Sequence, residues 1–123
     1  MAKFEFKKNC VNLDINGNCF NVELTNKVII ACDRLKYEAG DFVEMLSKVK
    51  DAETAETALT NTCNTLAKGI EDILGCGGVK KIYGDEAISL FNLTDVIVYI
   101  RKEIMDAIKT KAKKYNEVNK WVY

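Results

Sequence analysis

Apolar residues recur at every second position on either side of a central Asn-Gly in Val-Asn-Leu-Asp-Ile-Asn-Gly-Asn-Cys-Phe-Asn-Val-Glu-Leu, residues 11–24. A period of two marks strands with one buried face. Asn16-Gly17, at the centre, supplies the two positive-φ positions of a type I′ turn. A two-residue loop there sets Leu13 opposite Phe20 and Val11 opposite Val22. Val11, Leu13, Ile15, Phe20, Val22 and Leu24 then share one face, while Asn12, Asp14, Asn21 and Glu23 share the other. Cys10 and Cys19 fall on the polar face several pairs apart, too far to bridge. Residues 3–24 are therefore expected to form an antiparallel β-hairpin. Phe4 and Phe6 extend it to a three-stranded meander if the chain turns at Lys8-Asn9. So small a sheet needs helices against it.

Beyond Leu24 the period lengthens. Val28, Cys32, Leu35, Ala39, Phe42, Leu46 and Val49 alternate steps of four and three, which predicts one long helix. Its stripe passes through Gly40-Asp41 in register, although Asp41 with Glu44 resembles a capping box; a kinked helix and a broken one both fit. A second helix carries Ala52, Ala55, Leu59, Cys63, Leu66, Ile70 and Ile73 on one side. Its Thr-Ala-Glu-Thr-Ala-Leu-Thr-Asn-Thr stretch is rich in weak helix formers, so packing must hold it. A third is expected from about Asn92 to Tyr115, with Asn92 as cap, Asp95 in the first turn and lysines in the last turns. Leu93, Ile97, Ile100, Ile104, Ala107 and Ile108 form its buried stripe.

The fold class expected is α+β: a hairpin or meander packed on a body of three long helices and one short helical turn. The 123 residues form a single domain by the usual scale of about 100–200 residues each. Within it, 26–115 is the helical body and 116–123 a flexible tail.

Leu-Gly-Cys-Gly-Gly-Val-Lys-Lys-Ile-Tyr-Gly, residues 74–84, holds four of the seven glycines. A P-loop needs G-x-x-x-x-G-K-[ST] after a strand, and here Val79 follows Gly78 and a helix precedes. Cys76 beside Lys80 and Lys81 has the surroundings of a reactive thiol, but the chain contains no histidine to act as its base. The hinge reading accounts for more. Gly75 stands where a helix ending at Leu74 needs a left-handed residue, and Gly77-Gly78 frees the chain before a short turn over 79–83. Gly84 closes that turn, and Val79, Ile82 and Tyr83 plug the space between the longer helices.

Composition narrows the chemistry. Lysine plus arginine and aspartate plus glutamate each number 18, so no global basic field exists for nucleic acid. Residues 109–123 carry five lysines against one acid, most simply because Lys109, Lys111, Lys113 and Lys114 complete a helix C-terminus. Five cysteines without C-x-x-C spacing read as free thiols, with no metal or other cofactor implied. The N-terminal Met-Ala-Lys-Phe-Glu-Phe-Lys-Lys lacks the apolar run of a signal peptide, and no stretch is long enough to span a membrane. A cytoplasmic protein is expected.

Apolar residues also exceed what the stripes use. Ile29, Ile30, Val43 and Met45 lie off the first helix's stripe, and Val96, Val98 and Tyr99 flank the last one. A wider core face and a subunit or partner interface are the two readings of this surplus. Trp121 and Tyr123 end the chain with aromatics that suit a partner anchor, a contact on the sheet, or a loose end.

The order of parts is distinctive: a hairpin tipped by Ile-Asn-Gly, two helices, Ile-Leu-Gly-x-Gly-Gly-Val-Lys-Lys-Ile-Tyr-Gly-Asp, then Ser-Leu-Phe-Asn-Leu-Thr-Asp-Val-Ile-Val-Tyr-Ile entering a basic helix. It resembles small tail-assembly chaperone-like proteins of phages and prophages in Gram-positive bacteria, over most of 10–108. The resemblance implies a non-enzymatic factor that coats and solubilises the helical tape-measure protein and helps tail-tube subunits polymerise. It further implies action in the bacterial host cytoplasm and absence from the mature virion; self-association is expected as well, and the charge balance and short apolar runs argue for no nucleic-acid or membrane partner. A structural tail or connector subunit is the alternative. The residues expected to meet partners are Ile29, Ile30, Val43, Met45, Trp121 and Tyr123.

Overall fold

In the computed structural model, residues 2–48 and 50–122 are described; for Phe42, Val43, Met45, Leu46 and 116–122 the description covers the backbone alone. The order is β1 (Cys10–Ile15), β2 (Asn18–Glu23), α1 (Asn26–Ser47), α2 (Ala52–Leu74), α3 (Gly78–Tyr83) and α4 (Leu90–Val122). The α+β class holds, in its hairpin form. The two strands pair antiparallel with Val11 opposite Val22 and Leu13 opposite Phe20, as the turn chemistry requires. Asn16 and Gly17 both take positive φ, 53° and 82°, and the Gly17 N–H donates to Asp14 Oδ1 at 3.1 Å. Leu13, Ile15, Phe20 and Val22 are buried and their neighbours along the strands are not.

No third strand forms among the described residues. Residues 2–9 take no regular structure, and the Phe4 and Phe6 side chains stand in solvent. One donor on the edge a third strand would use is already taken: the Asp14 N–H donates to the Tyr99 hydroxyl of α4 at 3.3 Å. A helix already occupies that end of the edge.

The hairpin's apolar face lies against α2 and α4, and α1 packs antiparallel on α2 through a loop of a few residues. Val28, Ala31, Cys32 and Leu35 of α1 are buried, and α1 runs unbroken through Gly40 and Asp41. Gly69 lets α2 approach α1 closely: a Cβ there would lie 2.5 Å from Leu35 Cδ2. On α2 the stripe is buried only toward the sheet, at Leu66, Ile70 and Ile73. Ala52, expected inside, is exposed, because the far end of the α1–α2 hairpin extends beyond the sheet and α3.

The last helix differs most from expectation. It begins at Leu90, not Asn92, and its backbone continues as helix through 116–122 to Val122. Asn92 is an exposed residue inside the helix and Asp95 lies past its first turn. Leu90 is buried and continues the stripe of Leu93, Ile97, Ile100 and Ile104 by a step of three, and Ser89, whose carbonyl accepts the Leu93 N–H at 2.9 Å, stands at the N-cap in place of Asn92. One cluster joins the buried residues of every element. Among the described residues no helix is long and apolar enough to cross a membrane.

Candidate functional site

The glycine-rich stretch is an ordered joint. The Gly75 N–H closes α2 on the Glu71 carbonyl at 2.8 Å with φ at 101°. The Gly78 N–H bonds Gly75 O at 3.1 Å, the Lys81 N–H bonds Gly77 O at 3.1 Å, and the Gly84 N–H bonds Lys80 O at 2.7 Å. Val79, Ile82 and Tyr83 are buried as the expected plug, and Asn16 Nδ2 donates to Ile82 O at 3.2 Å, tying the hairpin turn to α3. Gly78 departs from the expectation. It is a buried helical residue, and a Cβ on it would meet Leu74 Cβ at 2.8 Å, so it serves close packing rather than free rotation. Cys76 is a free, exposed thiol on this loop, and among the described residues no cluster of His, Cys, Asp or Glu could hold a metal ion.

The residues expected to meet partners are only in part described. Ile29 and Ile30 are exposed on α1, Ile30 by 58%. The side chains of Val43, Met45 and Trp121, and all of Tyr123, lie outside the described residues. The surplus on α4 divides. Val96 and Tyr99 pack against the core, whereas Val98 is 63% exposed.

Val98 belongs to a groove of about 380 Å³ between α1 and α4. Its apolar lining comes from Ala39, Ile97, Val98 and Met105. Its edges carry Lys36, Arg101, Lys102 and Lys109 against one carboxylate, Asp106. Thr94, Val98, Arg101, Met105 and Lys109 follow one another at steps of four, three, four and four, so they form one stripe of α4 beside the buried one. Ile29 stands two turns before Lys36 on the same side of α1, which aligns an expected contact residue with the groove. Arg101 is fixed in place: its Nε donates to the Cys32 carbonyl at 3.2 Å. Burial pushes the Cys32 thiol above its ordinary pKa, against the opposing pull of Arg101. The Lys36 ammonium lies 5.9 Å from the Tyr37 ring centroid, extending the basic edge onto an exposed aromatic.

This arrangement offers no nucleophile paired with a base. It offers an apolar strip with flanking cations, the surface that receives one face of an amphipathic helix bearing acids at its margin. The sequence carried the signal, in the second stripe at Val98 and Met105, but it merges there with the wider core stripe.

A second concavity of about 320 Å³ lies where the hairpin turn meets α3 and α4, lined by Ile15, Asn16, Ile82, Tyr83, Asp95 and Val96 among others. The Tyr83 hydroxyl is buried with no hydrogen-bond partner among the described residues. Burial raises its pKa, with smaller contributions from Cys63 and Asp95.

No protein-family model, curated protein or solved structure matches the chain.

Proposed function

We propose that the chain is a non-enzymatic phage tail assembly factor that binds and solubilises the tape-measure protein and helps tail-tube subunits polymerise around it. The observation that supports this reading is the α1–α4 groove, apolar along its floor and cationic along its edges. From Thr94 to Lys109 it follows α4 for about 22 Å at 1.5 Å per residue, long enough to hold about four turns of a client helix. A long helical client presents such faces repeatedly, and covering them keeps it from aggregating. On this reading the factor acts in the host cytoplasm and is left out of the finished tail.

Co-expression tests the proposal. A tape-measure protein that pellets alone should remain in the supernatant with this chain, and return to the pellet with a Val98→Asp, Met105→Asp variant. Both side chains are exposed, so the variant should melt like the parent. A tape-measure protein equally soluble with either form would refute the groove as its binding site. Finding the chain stoichiometrically in purified tails would favour a structural tail or connector subunit.

A further inference from the structure

Lys3-Phe4-Glu5-Phe6-Lys7 alternates charged and aromatic residues without a miss, the pattern of a strand, yet it forms none. Phe4 and Phe6 are 83% and 93% exposed. Their rings meet edge to face at 5.3 Å between centroids. The arm stands off from the body across an open concavity of about 700 Å³ bordered by Asn9 and Tyr115.

The neighbouring sheet has an unfilled edge. In a hairpin closed by a two-residue loop, Ile15 and Asn18 exchange hydrogen bonds, as do Leu13 with Phe20 and Val11 with Val22. The Leu24 N–H bond to Asn9 O at 2.7 Å confirms this parity at the open end. Cys10, Asn12 and Asp14 on β1, and Cys19, Asn21 and Glu23 on β2, therefore direct their backbone groups outward. On β1 the Tyr99 hydroxyl takes the Asp14 N–H. On β2 the N–H groups of Cys19, Asn21 and Glu23 have no protein acceptor among the described residues. Such a row is a template for another strand.

The arm cannot fill that edge as a unit in its own chain. Asn9 is already in register on β1, and β2's outer side is two strand spacings away, about 9.5 Å. Lys7 lies two residues from Asn9, a reach of at most about 7 Å.

We propose that residues 3–7 of one copy add as a third strand to the β2 edge of a second copy, and that the exchange is reciprocal. In that pairing Phe4 and Phe6 extend the apolar face begun by Phe20 and Val22. Lys3, Glu5 and Lys7 lie on the polar face, where the arm's lysines meet Glu23. Two arms and two β2 edges close a two-fold dimer in which every arm and every β2 edge is used. The dimer needs no client, so it stands or falls apart from the tape-measure proposal.

Sedimentation velocity of the full chain, up to about 1 mM where weak association is populated, tests it. The parent should sediment as a dimer. Phe4→Asp with Phe6→Asp removes the donor, and Asn21→Pro removes an outward N–H without breaking the hairpin's own ladder. Each variant alone should be monomeric with its far-UV spectrum intact. Mixed, they should associate through one arm and one edge, more weakly than the parent, since each retains the half the other lacks. Ile30→Asp should leave the dimer unchanged. A monomeric parent, a dimer indifferent to the arm substitutions, or mixed variants that stay apart would overturn the proposal. If Asn21→Pro unfolds, an arm peptide of residues 1–9 added to the Phe4→Asp, Phe6→Asp variant replaces it, and absence of binding is the contrary result.

Discussion

Replacing Gly78 with alanine adds one methyl group at the point where α3 leaves α2. The new Cβ would lie 2.8 Å from Leu74 Cβ, 3.5 Å from Leu74 Cδ1 and 3.7 Å from Phe20 Cε1. Carbon atoms in contact prefer about 3.5–4.0 Å. Leu74 Cβ is bonded directly to the backbone, so no rotamer change relieves the first contact. The last turn of α2 and the first of α3 must separate, loosening the contact with Phe20. Overpacking of this kind costs about 1–3 kcal/mol, and alanine's better helix propensity returns up to about 1 kcal/mol. The net expectation is a loss of about 1–2 kcal/mol. With 123 residues and about 2.1 cal/mol/K of unfolding entropy each, 1 kcal/mol shifts Tm by about 4 °C. Gly78→Ala should therefore melt about 4–8 °C below the parent by circular dichroism at 222 nm. Gly40→Ala supplies the contrast. Gly40 lies inside α1 with nothing within 4 Å of its Cβ position, so alanine there should add about 0.5–1 kcal/mol, or about 2–4 °C. A Gly78→Ala protein as stable as the parent would show slack at the α2–α3 junction and would refute close packing as the reason for that glycine.

Tyr83→Phe should be neutral, or more stable by up to about 1 kcal/mol in urea melts, because it removes a buried hydroxyl that has no partner; a loss beyond about 1 kcal/mol would mean the hydroxyl is bonded. The Asp51 carboxylate caps α2 by accepting from the Thr54 N–H at 2.7 Å, which holds its pKa below the ordinary 3.8. A lowered folded pKa contributes stability that is present above 3.8 and lost as pH falls through the folded value. The Tm advantage of the parent over Asp51→Asn should therefore shrink on acidification from about pH 6 to about pH 2.5, and a constant difference would contradict the cap's charge dependence. Intact-mass analysis during maleimide labelling should show Cys10, Cys19 and Cys76 reacting first, Cys63 more slowly, and Cys32 only on unfolding. Early modification of Cys32 would place it outside the core.

The hairpin was fully legible because two independent local signals, the Asn16-Gly17 turn and the period of two, demand the same register. The helical stripes were legible for a similar reason. What escaped depended on partners distant in sequence. Asn92 has the chemistry of a cap, but Ser89 stands three residues earlier, where Leu90 joins the core, and the helix starts there. Phe4 and Phe6 have the pattern of a strand, but Tyr99, 85 positions from Asp14, takes a donor at the far end of the edge they would use. Gly78 reads as freedom until the position of Leu74 is known. The groove escaped because Val98 and Met105 adjoin the buried stripe, and only the placement of α1 decides which side of that border each falls on.

The most direct test of the account is an amide shift map of the labelled chain titrated with a helical segment of the tape-measure protein that carries acids along one margin. The largest shifts should fall at Lys36, Ala39 and along α4 from Thr94 to Lys109, and should vanish with the Val98→Asp, Met105→Asp variant. Shifts confined to the loop around Cys76, or none at millimolar peptide, would contradict it.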